Sequence, residues 1–159
     1  MSVTTVKDRI DTIVTNVTGV NEVKDGLPRN AVPGNMPFAY IATADARVVQ
    51  AGSAGDTLLL FERDYKIVLV IKPWAHGIEL EVEAAAEPFF TRIYDVLWGN
   101  PGLHTFTAGV PNNDPLDYVF DTALTGDSGV VNIVVGGLAV VGVVFSLTVQ
   151  EMTDQPGGA

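Results

Sequence analysis

The chain has 159 residues and a mass of 16.9 kDa, with 19 acidic and 9 basic residues for a net charge of −10. Apolar residues make up 47% and charged residues only 18%, which excludes general disorder, since disorder needs low hydrophobicity together with high charge. The absence of cysteine excludes a disulfide scaffold, a thiolate nucleophile and Cys-ligated zinc or iron–sulfur, and the acidic balance opposes nucleic-acid binding, which relies on Lys and Arg neutralising phosphates.

At this length one domain is expected, and about 68–70% of the unfolded surface can be buried. Val6, Ile10, Ile13, Val14 and Val17 fall at helical spacing and predict a first helix. Thr5 is its expected N-cap, with Asp8 completing a capping box and Gly19 as the stop. Its β-branched residues make it a poor helix in isolation, so it should depend on docking. Val20 to Pro37, with Pro28, Pro33, Pro37, Gly26 and Gly34, reads as a loop. Phe38 to Thr43 predicts a short strand. Ala44 to Asp56, centred on Gly52-Ser53-Ala54-Gly55, reads as a mobile hairpin loop. Thr57–Phe61 and Tyr65–Lys72 predict strands, the second ended by Pro73.

Ile78, Leu80 and Val82 alternate with Glu79, Glu81 and Glu83 as a strand would. Ala84-Ala85-Ala86 then favours helix, and Phe89, Phe90, Ile93, Tyr94, Leu97 and Trp98 recur at helical spacing. The reading is one helix kinked at Pro88, or a short helix followed by a longer one. Gly99-Asn100-Pro101-Gly102 stops it. Gly99 to Pro115 is a second Pro/Gly-rich connection, Tyr118–Leu124 a strand, and Gly126-Asp127-Ser128-Gly129 a turn.

Val130 to Val149 contains no charged residue, the length at which a membrane helix becomes conceivable. Val and Ile favour strands instead, and Gly136-Gly137 stands where a hairpin would turn. No Lys or Arg follows Arg92, so no basic flank orients a membrane span. Two buried strands are expected. The N-terminus lacks a basic start followed by an apolar stretch, so no export by the usual signal is expected. Residues 1–152 should form the domain, and residues 153–159 a flexible tail.

The fold class expected from this order is α+β: a mostly antiparallel, mixed sheet of about 4–6 strands with two main helices packed on one face. Val130–Val149 has little polarity on either side beyond Asn132, Ser146 and Thr148. An antiparallel sheet usually turns a polar face to water, so an edge or the second face should be covered by another chain.

The candidate chemistry is thin. Gly126-Asp127-Ser128-Gly129, with His76 upstream, matches four letters of the nucleophile turn of trypsin-like proteases. Val130 follows instead of glycine, and Gly, Asp and Ser are ordinary turn residues. Glu79, Glu83 and Glu87 fall at helical i, i+4, i+8 spacing and could line one face, solvated or facing a pore. His76 and His104 have no ligand spacing. Asp114, Asp117 and Asp121 lack the pattern of a calcium loop. Asn16-Val17-Thr18 is a formal glycosylation sequon on the first predicted helix. The expectation is no catalytic residue, no cofactor and no metal.

The layout resembles the tail-terminator, or tail-completion, proteins of long-tailed bacteriophages. The residues that carry the resemblance are Tyr65–Lys72 ending at Pro73, then Glu79–Trp98 followed by Asn100-Pro101-Gly102-Leu103, then Asp127-Ser128-Gly129, and Gly136 to Val149 with its Phe145-Ser146-Leu147-Thr148-Val149 ending. The resemblance spans nearly the whole chain through shape more than signature residues. It implies a structural virion protein of the tail or neck, assembled in the host bacterial cytoplasm. Such proteins form a homo-oligomeric, hexameric ring that caps the tail tube, ends its polymerisation and offers a docking surface to head–tail connector or neck proteins. Genomic DNA would pass through without specific binding, repelled by an acidic lumen to which Glu79, Glu83, Glu87 or the acids from Asp114 to Asp127 contribute. No membrane is expected as a partner. Other readings of the residues are another neck or tail-tube protein, a small soluble hydrolase using His76, an aspartate and Ser128, and a membrane-associated protein through Val130–Val149.

The charge divides unevenly. Residues 1–92 carry 12 acids and 9 bases, net −3, while residues 93–159 carry 7 acids and no base, net −7. The apolar excess and the unbalanced negative charge thus share the C-terminal half.

Overall fold

The computed structural model describes residues 3–29, 33–51, 58–75, 79–116 and 118–154. Helix α1 (Val3–Thr15) forms from the expected apolar stripe, and Val6, Ile10, Ile13 and Val14 are buried along it. It starts at Val3, so Thr5 lies inside the first turn and is not the N-cap. Gly19 takes φ +96°, and a Cβ there would press to 3.0 Å from Phe89 and from the Arg92 guanidinium. The expected stop is therefore also a point of close approach between the two helices.

The main sheet runs β1-β2-β3-β7-β6. Its strands are β1 (Glu22–Lys24), β2 (Phe38–Ala51), β3 (Leu58–Pro73), β6 (Val119–Val135) and β7 (Leu138–Asp154). β1 pairs parallel with β2, and every other pairing is antiparallel. Helix α2 (Glu79–Leu97) lies between β3 and a small separate hairpin of β4 (Phe106–Thr107) and β5 (Val110–Pro111). The fold is α+β, as expected. Pleating sorts the strand residues. Ala39, Ile41, Tyr65, Ile67, Leu69, Val143, Phe145, Leu147 and Val149 join the buried residues of α1 and α2 in one core. Phe38, Tyr40, Val68, Val70, Val135 and Val140 form a second, smaller cluster. Both helices therefore dock on one face, and no described helix covers the other.

Several expectations need correction. Val20–Pro37 is not all loop: β1 and a 3₁₀ turn at Pro33–Asn35 lie within it. β1 exists because the edge of β2 offers it a parallel ladder from Phe38 to Tyr40. The two strands expected over Thr57–Phe61 and Tyr65–Lys72 are one, β3, described from Leu58 to Pro73. β2 continues past Thr43 to Ala51, with irregularities after Thr43 and Val48, because β3 supplies its ladder throughout. The Gly52-Ser53-Ala54-Gly55 loop lies outside the described residues. Glu79 to Glu83 is helical: the strand-like alternation yields to the downstream stripe, and α2 runs as a single helix with Pro88 inside it. The Gly126–Gly129 turn is a bulge within β6, where the register slips between Leu124 and Gly126 and again between Asp127 and Val130. Val130–Val149 forms two strands joined at Gly136-Gly137, whose φ values of +56° and +79° fit a type I′ turn. β7 continues to Asp154, so the strand claims two residues assigned to the tail. No described helix is long and apolar enough to cross a membrane.

Asp11 gives the fold a pH dependence. Burial pushes its carboxyl up to about 6 from 3.8, against the pull of Lys7 and reinforced by Asp8 and Asp25. Its Oδ1 is buried without a hydrogen-bond partner. The folded state holds this proton where the unfolded state has released it, so stability should fall as pH rises from 3.8 to about 6 and level off above. Chemical denaturation across that range should show the slope in the parent and lose most of it in Asp11→Asn.

Candidate assembly surface

Helix α2 carries the acids singled out from the sequence. Glu81, Glu83 and Glu87 are exposed, and Glu83 and Glu87 sit one turn apart beside Leu80, Ala84 and Phe90 along a shallow groove. Glu79 opens the helix. Leu80 is 81% exposed, a large apolar side chain displayed among carboxylates. One cation approaches from the sheet: Lys72 Nζ lies 3.7 Å from Glu81. Among the described residues, no group of three or more His, Asp or Glu is placed to hold a metal ion.

The C-terminal end of α2 is tied down by Asn100. Its side chain donates to the Val96 carbonyl (3.1 Å) and the His104 carbonyl (2.9 Å), and accepts from the His104 amide (2.8 Å). The Val96 carbonyl in the last turn of α2 is thereby satisfied in a buried corner. Asn100-Pro101-Gly102-Leu103 is in this way a structural knot. His104 belongs to it, with Nδ1 2.6 Å from the Asn112 carbonyl. Trp98 stands 70% exposed one residue past the helix.

The acids from Asp114 to Asp127 do not converge. Asp114 accepts from the Thr105 amide (3.0 Å) and from the Thr105 hydroxyl, and pairs with Arg9 of α1 at 3.4 Å. The Thr105 hydrogen bonds, with help from Arg9, hold its carboxyl below the usual range. Asp117 lies outside the described residues. Asp121 is exposed on β6 and accepts from the Thr122 amide at 2.9 Å. Asp127 braces the bulge, accepting from the Gly129 amide (2.8 Å) and from the Tyr94 hydroxyl (3.1 Å).

Ser128 also works for the bulge. Its hydroxyl donates to the Gly129 carbonyl (2.8 Å) and accepts from the Val144 amide (3.0 Å). It thus replaces a ladder partner that the extra residues of β6 displace. His76, the base of the hydrolase reading, lies outside the described residues. Asn16, of the sequon, donates to the Thr12 carbonyl at 3.0 Å as part of the helix end.

The helix-free sheet face carries a feature that the sequence reading missed. Arg47 bridges Glu62 (2.7 Å) and Asp64 (3.2 Å), and Gln150 donates to Glu62 at 2.8 Å. Thr148 donates to Asp64 at 2.7 Å, and Lys66 to Ser146 at 2.9 Å. These bonds form a polar ladder across β2, β3 and β7. Hydrogen bonding from Thr148, then from Arg47, holds the Asp64 carboxyl below its ordinary range. The signal was present as polar residues at 62, 64 and 66 and at 146, 148 and 150, spaced by two. The other half of this face is the Phe38, Tyr40, Val68, Val70 cluster, so one sheet face is apolar at one end and polar at the other.

The sheet edges are open. Among the described residues, no strand pairs the outer side of β6, and none pairs the side of β2 away from β3 beyond Tyr40. β6 is 17 residues long, with Val134 72% exposed on it; β2 shows Val48 at 63%. Long unpaired edges are a template for another strand. The chain matches no protein-family model and no curated protein.

Proposed function

We propose that the chain is a structural virion protein that closes into a ring, caps the tail tube of a long-tailed phage, ends its polymerisation and offers a docking surface to the head or neck. The observation that carries this reading is the pair of open sheet edges on opposite sides of one sheet, β6 and the outer length of β2, each displaying an exposed valine. Two different edges that meet between copies make a heterologous contact, and such a contact closes into a ring when its rotation permits. β6 runs antiparallel to β2 through the intervening strands, so a sheet continued from β6 of one copy to β2 of the next keeps an antiparallel ladder.

Charge supports the same reading. The β6 edge carries Asp121 and Asp127, and no base follows Arg92 anywhere in the chain. The α2 face adds Glu81, Glu83 and Glu87. Acidic surfaces facing a lumen give passing DNA no counterion-release affinity. The tail-tube protein and a connector or neck protein are the partners this reading requires, with the virion tail as its place.

The test is a charge on the edge. Light scattering should give a ring-sized particle for the parent and a monomer for Val134→Lys, because an edge lysine blocks strand addition. The variant's own stability should move by no more than about 0.5 kcal/mol, as is usual at exposed positions. A Val134→Lys protein that assembles like the parent would contradict the edge contact.

A further inference from the structure

One row of the sheet holds a buried acid with no partner. Glu151 of β7 is 1% exposed, and neither of its carboxylate oxygens accepts a hydrogen bond. It pairs in register with Phe61 on β3 and Val119 on β6, and Phe61 pairs with Val48 at the open edge of β2. Arg63 pairs with Val149, so Arg63 and Glu151 are diagonal neighbours on the same face of the β3–β7 ladder, two residues from Tyr65. The Arg63 Nε and the Tyr65 hydroxyl are also buried without partners. The groups facing the carboxyl are Arg63 and Tyr65 from β3 and Tyr118 from the segment before β6, with Arg9 of α1 beside Tyr118.

An ionised carboxylate in such a place is expensive unless paired and hydrogen-bonded. Burial drives the Glu151 carboxyl above its ordinary value, and the opposing pull of Arg63 and the chain's amino group does not cancel it. Tyr65 rises as well, from burial and then from the charge on Glu151. The neutral acid is the form that suits the packed sheet end.

We propose that Glu151 is a proton-operated latch on this end of the sheet. While the carboxyl keeps its proton, the end of β7 stays seated between β3 and β6. When it ionises, the carboxylate seeks water, and the strand end from Val149 to Met152 opens together with the Tyr118 carbonyl that accepts from the Met152 amide at 2.8 Å. Because the same row runs from Val119 to Val48, the opening reaches both free edges. The latch is a property of the single chain and does not depend on ring formation.

Amide hydrogen exchange tests it. Between about pH 5 and about pH 9, the protection of residues 149–152 and 119 should fall at least tenfold, after correction for intrinsic exchange. Protection of residues 143–147 should stay level. Glu151→Gln, which is neutral at every pH, should abolish the fall. A flat profile in the parent, or the same fall in Glu151→Gln, would overturn the latch. Should that variant fail to fold, carbon-detected titration of the parent's Glu151 carboxyl decides: a midpoint above those of the exposed glutamates supports the latch, and a midpoint among them overturns it.

Discussion

Gly142→Ala is expected to cost at least about 4 kcal/mol and to leave little soluble folded protein. Gly142 sits in the middle of β7, opposite Val70 on one side and Val131 on the other. A Cβ there would overlap the Leu69 carbonyl oxygen and stand 3.1 Å from its carbon and 3.3 Å from the Val70 Cα. All three atoms are backbone of β3, so no side chain can swing aside. The central β3–β7 ladder would have to part, next to the irregularity already present between Val70 and Lys72. Domains of this kind have about 5–15 kcal/mol in total. Gly137→Ala is the control: its φ of +79° makes alanine strained, but nothing lies within 4 Å of the added carbon. It should cost about 1–2 kcal/mol. Urea denaturation of both variants checks the contrast, and equal midpoints would contradict it.

Phe145→Ala should cost about 3–5 kcal/mol. Phe145 is fully buried on the helix-covered face of β7. Its ring meets Phe90 edge-on at 5.9 Å and Tyr94 at 6.3 Å, both from α2. Truncation removes the apolar area and leaves a cavity beneath α2, and it strips two aromatic contacts that add to plain burial. Phe145→Leu, which keeps most of the volume, should cost less than half as much. The denaturation midpoint should drop with an unchanged slope, since the surface exposed on unfolding stays the same. A drop no larger in Phe145→Ala than in Phe145→Leu would show that α2 does not depend on this contact.

The helices were legible because their apolar spacing needs no partner to be seen. Val6, Ile10, Ile13 and Val14 mark α1, and Phe89, Ile93 and Leu97 mark α2; all are buried. The Val130–Val149 hairpin was legible from Gly136-Gly137. The lengths of the strands were not. β2 beyond Thr43 opens with Ala44-Asp45-Ala46-Arg47, residues with no strand preference of their own, and it continues because β3 supplies its ladder and Arg47 reaches Glu62 and Asp64. The Gly126–Gly129 segment looked like a turn because a bulge uses the same residues as a turn. Only the ladder with β7 reveals that the chain continues as one strand. Of the candidate acids, Glu83 and Glu87 share a face as their spacing required. Asp114 was separated from Asp121 and Asp127 by a contact 105 residues away, to Arg9, which no local pattern records. Glu151 gave no sequence signal either, since an acid near a chain end reads as solvated.

In the proposed function, two unlike sheet edges join copies of this chain into a closed ring. Native mass spectrometry of the purified protein tests it most directly. One dominant species at a single integer multiple of 16.9 kDa is expected, with no ladder of intermediate sizes, because a closed ring leaves no free edge. A protein that stays at 16.9 kDa at every concentration, and still fails to assemble when tail tubes are added, would contradict it.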